Sequence, residues 1–89
     1  MPFEYDPIKS ASNKDKHGID FEEAQALWDD DDMVTGEARF VGELRYVITG
    51  KVGDRAWTAV YTLLDDRVRL ISVRRARDDE VQRYEDDNG

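Results

Sequence analysis

The feature that most restricts this chain is a repeat of two. Leu44, Tyr46 and Ile48 alternate with Arg45, Val47 and Thr49, and Trp57, Ala59, Tyr61 and Leu63 alternate with Thr58, Val60 and Thr62. Successive side chains on a strand point to opposite faces, so each run predicts a strand that turns one face to a core. Gly50-Lys51-Val52-Gly53-Asp54 reads as a hairpin loop and Leu64-Asp65-Asp66 as a second turn. Arg67 to Arg75 then forms the next strand. Met33 to Val41 supplies a weaker run, irregular at Gly36 and Gly42. Short turns between such runs predict an antiparallel meander.

Ahead of the meander the pattern is helical. Phe3-Glu4-Tyr5 is short enough for an edge strand. Asp6 is then a good N-cap, and Pro7 sits at the first helical position, where its missing N–H does no harm. The helix is predicted to run to about Lys16. Lys14, Lys16 and His17 suit the negative pole of its dipole, and Gly18 suits the left-handed residue that ends it. A second helix begins almost at once. Asp20 and Glu23 have capping-box spacing, Ile19 and Ala24 suit a hydrophobic staple, and Phe21, Ala24, Leu27 and Trp28 form one apolar stripe. The tight link predicts an αα-hairpin. Four consecutive carboxylates, Asp29 to Asp32, oppose the dipole and end it. Asp78, Asp79 and Glu80 open a last helix carrying Val81 and Tyr84, and residues 85–89 are expected to fray. The element order β-α-α-β-β-β-β-α, with helices packed on a small antiparallel sheet, is α+β.

Eighty-nine residues allow one small domain with one modest core. The absence of cysteine removes disulfides and thiolate metal sites. No apolar run is long enough to cross a membrane as a helix, and the first six residues lack the regions of a signal peptide, so a cytoplasmic protein is expected. A net charge of −8 argues against general nucleic-acid binding. The charge is uneven, however. Residues 39–75 hold eight basic and four acidic side chains, so a basic middle lies between acidic ends.

The candidates for chemistry sit mostly on the arginine-bearing strand. Strict alternation puts Arg69, Ile71, Val73 and Arg75 on one face and Leu70, Ser72 and Arg74 on the other. An arginine beside a serine on a sheet face offers a fork-shaped phosphate donor next to a hydroxyl. His17 is the single histidine, the side-chain type that exchanges protons near neutrality. It also has a structural explanation, as a dipole partner before a capping glycine. Cleavage of RNA by a 2′-hydroxyl needs a base, a phosphate stabiliser and an acid for the leaving 5′-oxygen. His17, Arg74 and either Lys16 or Tyr84 can fill those roles. Glu80 serves the helix start or orients an arginine, and Arg45 sits where it can neighbour Arg74 across the sheet. Trp57 and Tyr61 can stack bases, although alternation favours the core. The Asp29 to Asp32 cluster lacks the spacing and glycine of a calcium loop. Neither metal nor cofactor is expected.

Taken together, Asp6-Pro7, Asn13, Lys16-His17-Gly18 and Phe21-Glu22-Glu23-Ala24, with Arg69, Ile71-Ser72, Arg74, Ala76, Glu80 and Tyr84 later in the chain, resemble the BrnT family of type II toxins. The resemblance runs from about Phe3 to Tyr84. It implies a RelE-like fold over one domain, residues 1–89, and a metal-independent ribonuclease that inhibits translation. Catalysis is expected at Arg74, His17, Tyr84 and Glu80, and RNA contact at Lys16, Arg45, Arg69, Ser72 and Arg75. A BrnA-type ribbon-helix-helix antitoxin is implied as partner, in a heterotetramer that reaches DNA only through the antitoxin. Two other readings stay open. One is a BrnT-like binding module without cleavage, working inside an autorepressor complex. The other is an acidic decoy that occupies a basic partner.

Overall fold

A computed structural model describes residues 2–88. Strand β1 (Phe3–Glu4) leads into helix α1 (Pro7–His17), a 3₁₀ helix (Glu23–Asp29), strands β2 (Val34–Phe40), β3 (Glu43–Val52), β4 (Arg55–Leu64) and β5 (Arg67–Arg75), and helix α2 (Asp78–Asn88). The five strands form one sheet in the order β1-β5-β4-β3-β2. Strands β2 to β5 are the antiparallel meander, but β1 pairs with β5 in parallel. The sheet is therefore mixed, mostly antiparallel, and with its three helices makes an α+β protein consistent with a compact RelE-like fold.

The predicted caps are formed. Asp6 accepts from the Ile8 N–H at 2.9 Å, and Gly18, at φ 85°, donates its N–H to the Lys14 carbonyl. Asp20 and Glu23 bond reciprocally, each side chain accepting the other's backbone N–H. The turns that this pair opens are 3₁₀ rather than α, so the αα-hairpin is corrected to an α-helix and a 3₁₀ helix. The sequence reason is visible afterwards: Phe21, Ala24 and Leu27 recur every three residues. At three residues per turn they line up on one side, and all three are buried.

Other expectations shift in detail. The loop expected from Gly50 to Asp54 shrinks to Gly53-Asp54, since β3 continues to Val52 opposite Arg55. Gly50 lies within the strand. A Cβ there would meet Leu27 at 3.3 Å and Asp30 at 3.1 Å, so the glycine admits the 3₁₀ helix against the sheet. Residues 85–88, expected to fray, belong to α2, and Gly89 lies outside the described residues.

The largest correction concerns β5. Val60 stands opposite Ser72 and Tyr61 opposite Leu70, which leaves Ile71 as an extra residue, a β-bulge. The bulge resets the alternation. Val68, Leu70, Val73 and Arg75 share the face of Trp57, Ala59 and Tyr61, whereas Arg69, Ser72 and Arg74 share the face of Thr58, Val60 and Thr62. Arg69 thus moves to the side of Arg74, away from Val73 and Arg75.

The first face is the packed one. Ile19, Phe21, Ala24 and Leu27 meet Ile48, Trp57, Ala59, Tyr61, Val68, Leu70 and Val73 in one core. Phe3, Trp28, Tyr61 and Tyr46 continue it as neighbouring rings, with centroids 5.0 to 5.6 Å apart. Helix α1 lies at the β5 edge beyond the reach of β1. There Asn13 supplies what a neighbouring strand would, donating to the Val73 carbonyl at 2.9 Å and accepting the Val73 N–H at 3.3 Å. Both of its groups are satisfied at a buried position, as buried amides require.

Candidate active site

The opposite face carries the polar groups. Cross-strand register places Val34, Thr49, Thr58 and Arg74 in one row across β2, β3, β4 and β5. Helix α2 lies over this row and docks through Glu80. The Glu80 carboxylate accepts from Arg74 Nη1 at 2.7 Å and Nη2 at 3.0 Å, a two-pronged pair. Its Oε1 also accepts from the Thr58 hydroxyl at 3.0 Å and from the Arg77 N–H at 2.8 Å. The last bond is the helix-side half of a capping box. The Arg74 bond above all, aided by those from Arg77 and Thr58 against partial burial, holds the Glu80 carboxyl at about 2. At neutral pH it is a carboxylate that accepts hydrogen bonds and has no proton to give.

Arg74 keeps donors in reserve. Glu80 takes the two terminal nitrogens, and a guanidinium has five N–H groups. Nη1 also donates to the Arg75 carbonyl at 3.3 Å, and among the described residues Nε–H and the second Nη2 hydrogen, a fork along the other edge, make no hydrogen bond. Arg74 lines a concavity of about 430 Å³ together with Arg45, Ser72, Arg77, Val47 and Val60, among others. Ser72 also lines a neighbouring concavity of about 250 Å³ with Lys16 and His17 from the end of α1. Of the residues singled out from the sequence, Arg74, Ser72 and Arg45 therefore meet in one place, and Lys16 and His17 meet next door across Ser72.

The others are placed elsewhere. Arg69 is on the same face but ion-pairs with Glu4 of β1, as does Arg67. Arg75 faces the core side, its guanidinium 5.4 Å from the Trp57 ring centre. Trp57 and Tyr61 are buried in the core rather than open for stacking. Tyr84 is buried and donates to Asp30 Oδ2 at 2.7 Å. Burial, then that bond, pushes its phenol up to about 12. Asp30 also accepts from the Lys51 N–H at 2.8 Å and the Asp32 N–H at 2.9 Å. Burial opposes its charge, yet these bonds prevail and hold its carboxyl below the usual range. Tyr84 and Asp30 thus join α2 to β3 and the 3₁₀ helix. Among the described residues no cluster of histidine and acidic side chains is arranged to hold a metal.

Two contributions were missed in the sequence. Arg77 lines the arginine concavity, and Thr58, with Thr49 behind it, supports Glu80. Alternation does place both threonines opposite the core face, the one signal they offer.

A small α+β protein of RelE-like fold, with a carboxylate-clamped arginine on the polar face of its sheet, is the class that fold and site define. The sequence profile of the ribonuclease toxin BrnT of type II toxin-antitoxin systems matches residues 5–80, and the chain belongs to that family of ribonuclease toxins. The match includes His17, Arg74 and Glu80 and ends before Tyr84. No curated protein matches the chain at significant similarity. A type II toxin implies an RNA substrate and a cognate antitoxin. Among the described residues no helix is long and apolar enough to cross a membrane.

Proposed function

We propose that this toxin cuts RNA without a metal ion, with the scissile phosphate on the free edge of Arg74. The observation that carries the reading is the Arg74 guanidinium, clamped at its tip by Glu80 and lining a concavity shared with Arg45, Ser72 and Arg77. A guanidinium so fixed supplies directed positive charge where charge builds on the phosphate.

In the proposed reaction the ribose 2′-oxygen attacks the adjacent phosphorus, and the bond from phosphorus to the 5′-oxygen breaks. His17 takes the 2′-hydroxyl proton, and Lys16 protonates the departing 5′-oxygen. The products are a 2′,3′-cyclic phosphate and a 5′-hydroxyl. Glu80 positions Arg74. Tyr84, tied to Asp30, is given no proton to transfer. The partner is proposed to be a BrnA-type ribbon-helix-helix antitoxin in a cytoplasmic heterotetramer. DNA is then touched by the antitoxin alone, in keeping with the toxin's net charge of −8.

The test is cleavage of a labelled single-stranded RNA of mixed sequence by purified protein in EDTA. Cyclic-phosphate ends are expected, with Arg74→Ala slower by about 10²–10³-fold and Arg74→Lys failing to restore the rate, because lysine has no fork. Full activity in folded Arg74→Ala would remove Arg74 from the centre. Activity lost in EDTA and restored by magnesium would reject the metal-free reaction. No cleavage by the folded wild-type protein would favour the binding module.

A further inference from the structure

The polar row behind Arg74 has an order that hydrogen-bond chemistry fixes. Thr49 and Thr58 are buried, at 6% and 0% exposure, and their hydroxyl oxygens lie 2.8 Å apart. A hydroxyl has one proton to donate. Thr58 lies 3.0 Å from the Glu80 carboxylate, which can only accept, so the Thr58 proton goes to Glu80. The contact between the threonines must then be donated by Thr49. The chain runs one way, from the Thr49 hydroxyl to Thr58, to Glu80, which also receives the Arg74 fork.

From this geometry we infer that Thr58, supported by Thr49, is a positioning residue for RNA cleavage: it fixes the Glu80 carboxylate and through it the edge that Arg74 turns to phosphate. The inference rests on the assignment of Arg74 as the phosphate donor. Oε1 is the crowded oxygen, held by Thr58, Arg74 and the Arg77 N–H, while Oε2 bonds Arg74 Nη2. Three donors at Oε1 stop the carboxylate from turning about its own bond. Without Thr58 the carboxylate can swing, and the guanidinium swings with it. Thr58 is directly opposite Arg74 in the sheet, so β4 itself sets where this restraint is applied.

The experiment compares wild type, Thr58→Val, Thr58→Ser and Thr49→Val. Each is assayed on the same labelled RNA, with thermal unfolding measured in parallel and the Glu80 carboxyl titrated by carbon NMR. Thr58→Val keeps the shape and removes the donor. It is expected to lower kcat about tenfold, the usual scale for one hydrogen bond to a charged group, with KM changed less than about twofold. Its Glu80 carboxyl should titrate at higher pH than in the wild type. Thr58→Ser should restore both properties, and Thr49→Val should lower kcat by about threefold and raise the pH at which Glu80 titrates by less than Thr58→Val does. If Thr58→Val does not fold, Thr58→Ser and Thr49→Val decide by the same two measurements. An unchanged Glu80 titration in either valine variant overturns the inference whatever the activity does. A KM rise with unchanged kcat overturns it as well. Arg74→Ala in the same assay tests the underlying assignment alone, so the two failures are separable.

Discussion

The two faces of the sheet are built on opposite principles. One is covered by the 3₁₀ helix and filled with Phe21, Leu27, Ile48, Val68 and Val73, each no more than 1% exposed. Its cohesion is apolar burial, which needs shape but little direction. The other carries Thr49, Thr58 and Arg74 under α2, and its order comes from directed bonds to one carboxylate. The sheet is thus stabilised from one side and made reactive from the other. The same strand serves both, because the bulge at Ile71 sends Val73 inward and Arg74 outward.

The widest break in this contrast is a core truncation. Leu27→Ala should lower unfolding free energy by about 3–5 kcal/mol, whereas Val60→Ala, half-buried on the polar face, should lower it by about 1 kcal/mol. Urea denaturation checks both, and equal losses would dissolve the distinction between the faces. Acid provides the next test. The Glu80 carboxyl falls from its ordinary 4.5 to about 2 in the folded protein. Its contribution is therefore complete above pH 4.5 and disappears as pH drops toward 2. The linkage amounts to at most about 3 kcal/mol. Glu80→Gln should flatten the acid limb of the stability curve, measured by thermal unfolding between pH 2 and 6. An unchanged limb would mean that Glu80 is not the acid-sensitive link.

Tyr84→Phe comes next in size, lowering stability by about 1–2 kcal/mol through loss of the bond to Asp30. RNA cleavage should persist, and its loss in a folded variant would return the phenol to the chemistry. The smallest effect belongs to the β2–β3 turn. There Val41 adopts φ 50° before Gly42 at 77°. A β-branched residue is strained in that region, and asparagine tolerates it. Val41→Asn should stabilise the protein by about 0.5–1 kcal/mol without altering cleavage, as calorimetry and the RNA assay would show.

Much of this was readable before the structure because it is local. Asp6, Gly18 and the Asp20–Glu23 pair act within a few residues, so sequence spacing carries their roles. Strand alternation likewise separates Ile48 from Thr49 and Trp57 from Thr58. The bulge at Ile71 was not readable, since one extra residue on a strand is defined by its partner's register. The misplacement of Arg69 came directly from it. Nor could Arg75 be turned toward Trp57, or Tyr84 toward Asp30, from a chain where those partners are far apart in sequence. The arginine and serine types pointed to phosphate chemistry. Which arginine receives a carboxylate behind it depended on tertiary contact.

The parallel pairing of β1 has a consequence for the order of folding. Glu4 meets Arg69 across a separation of 65 residues, while β2 to β5 join through short turns. Loop closure favours the near contacts first, so the meander can assemble while the N-terminal strand still waits for its neighbour. Arg74 in turn has no carboxylate until Glu80 and the helix behind it arrive. A chain growing from its amino end therefore adds β1 to its sheet and aligns its guanidinium only after residues 67–80 have emerged.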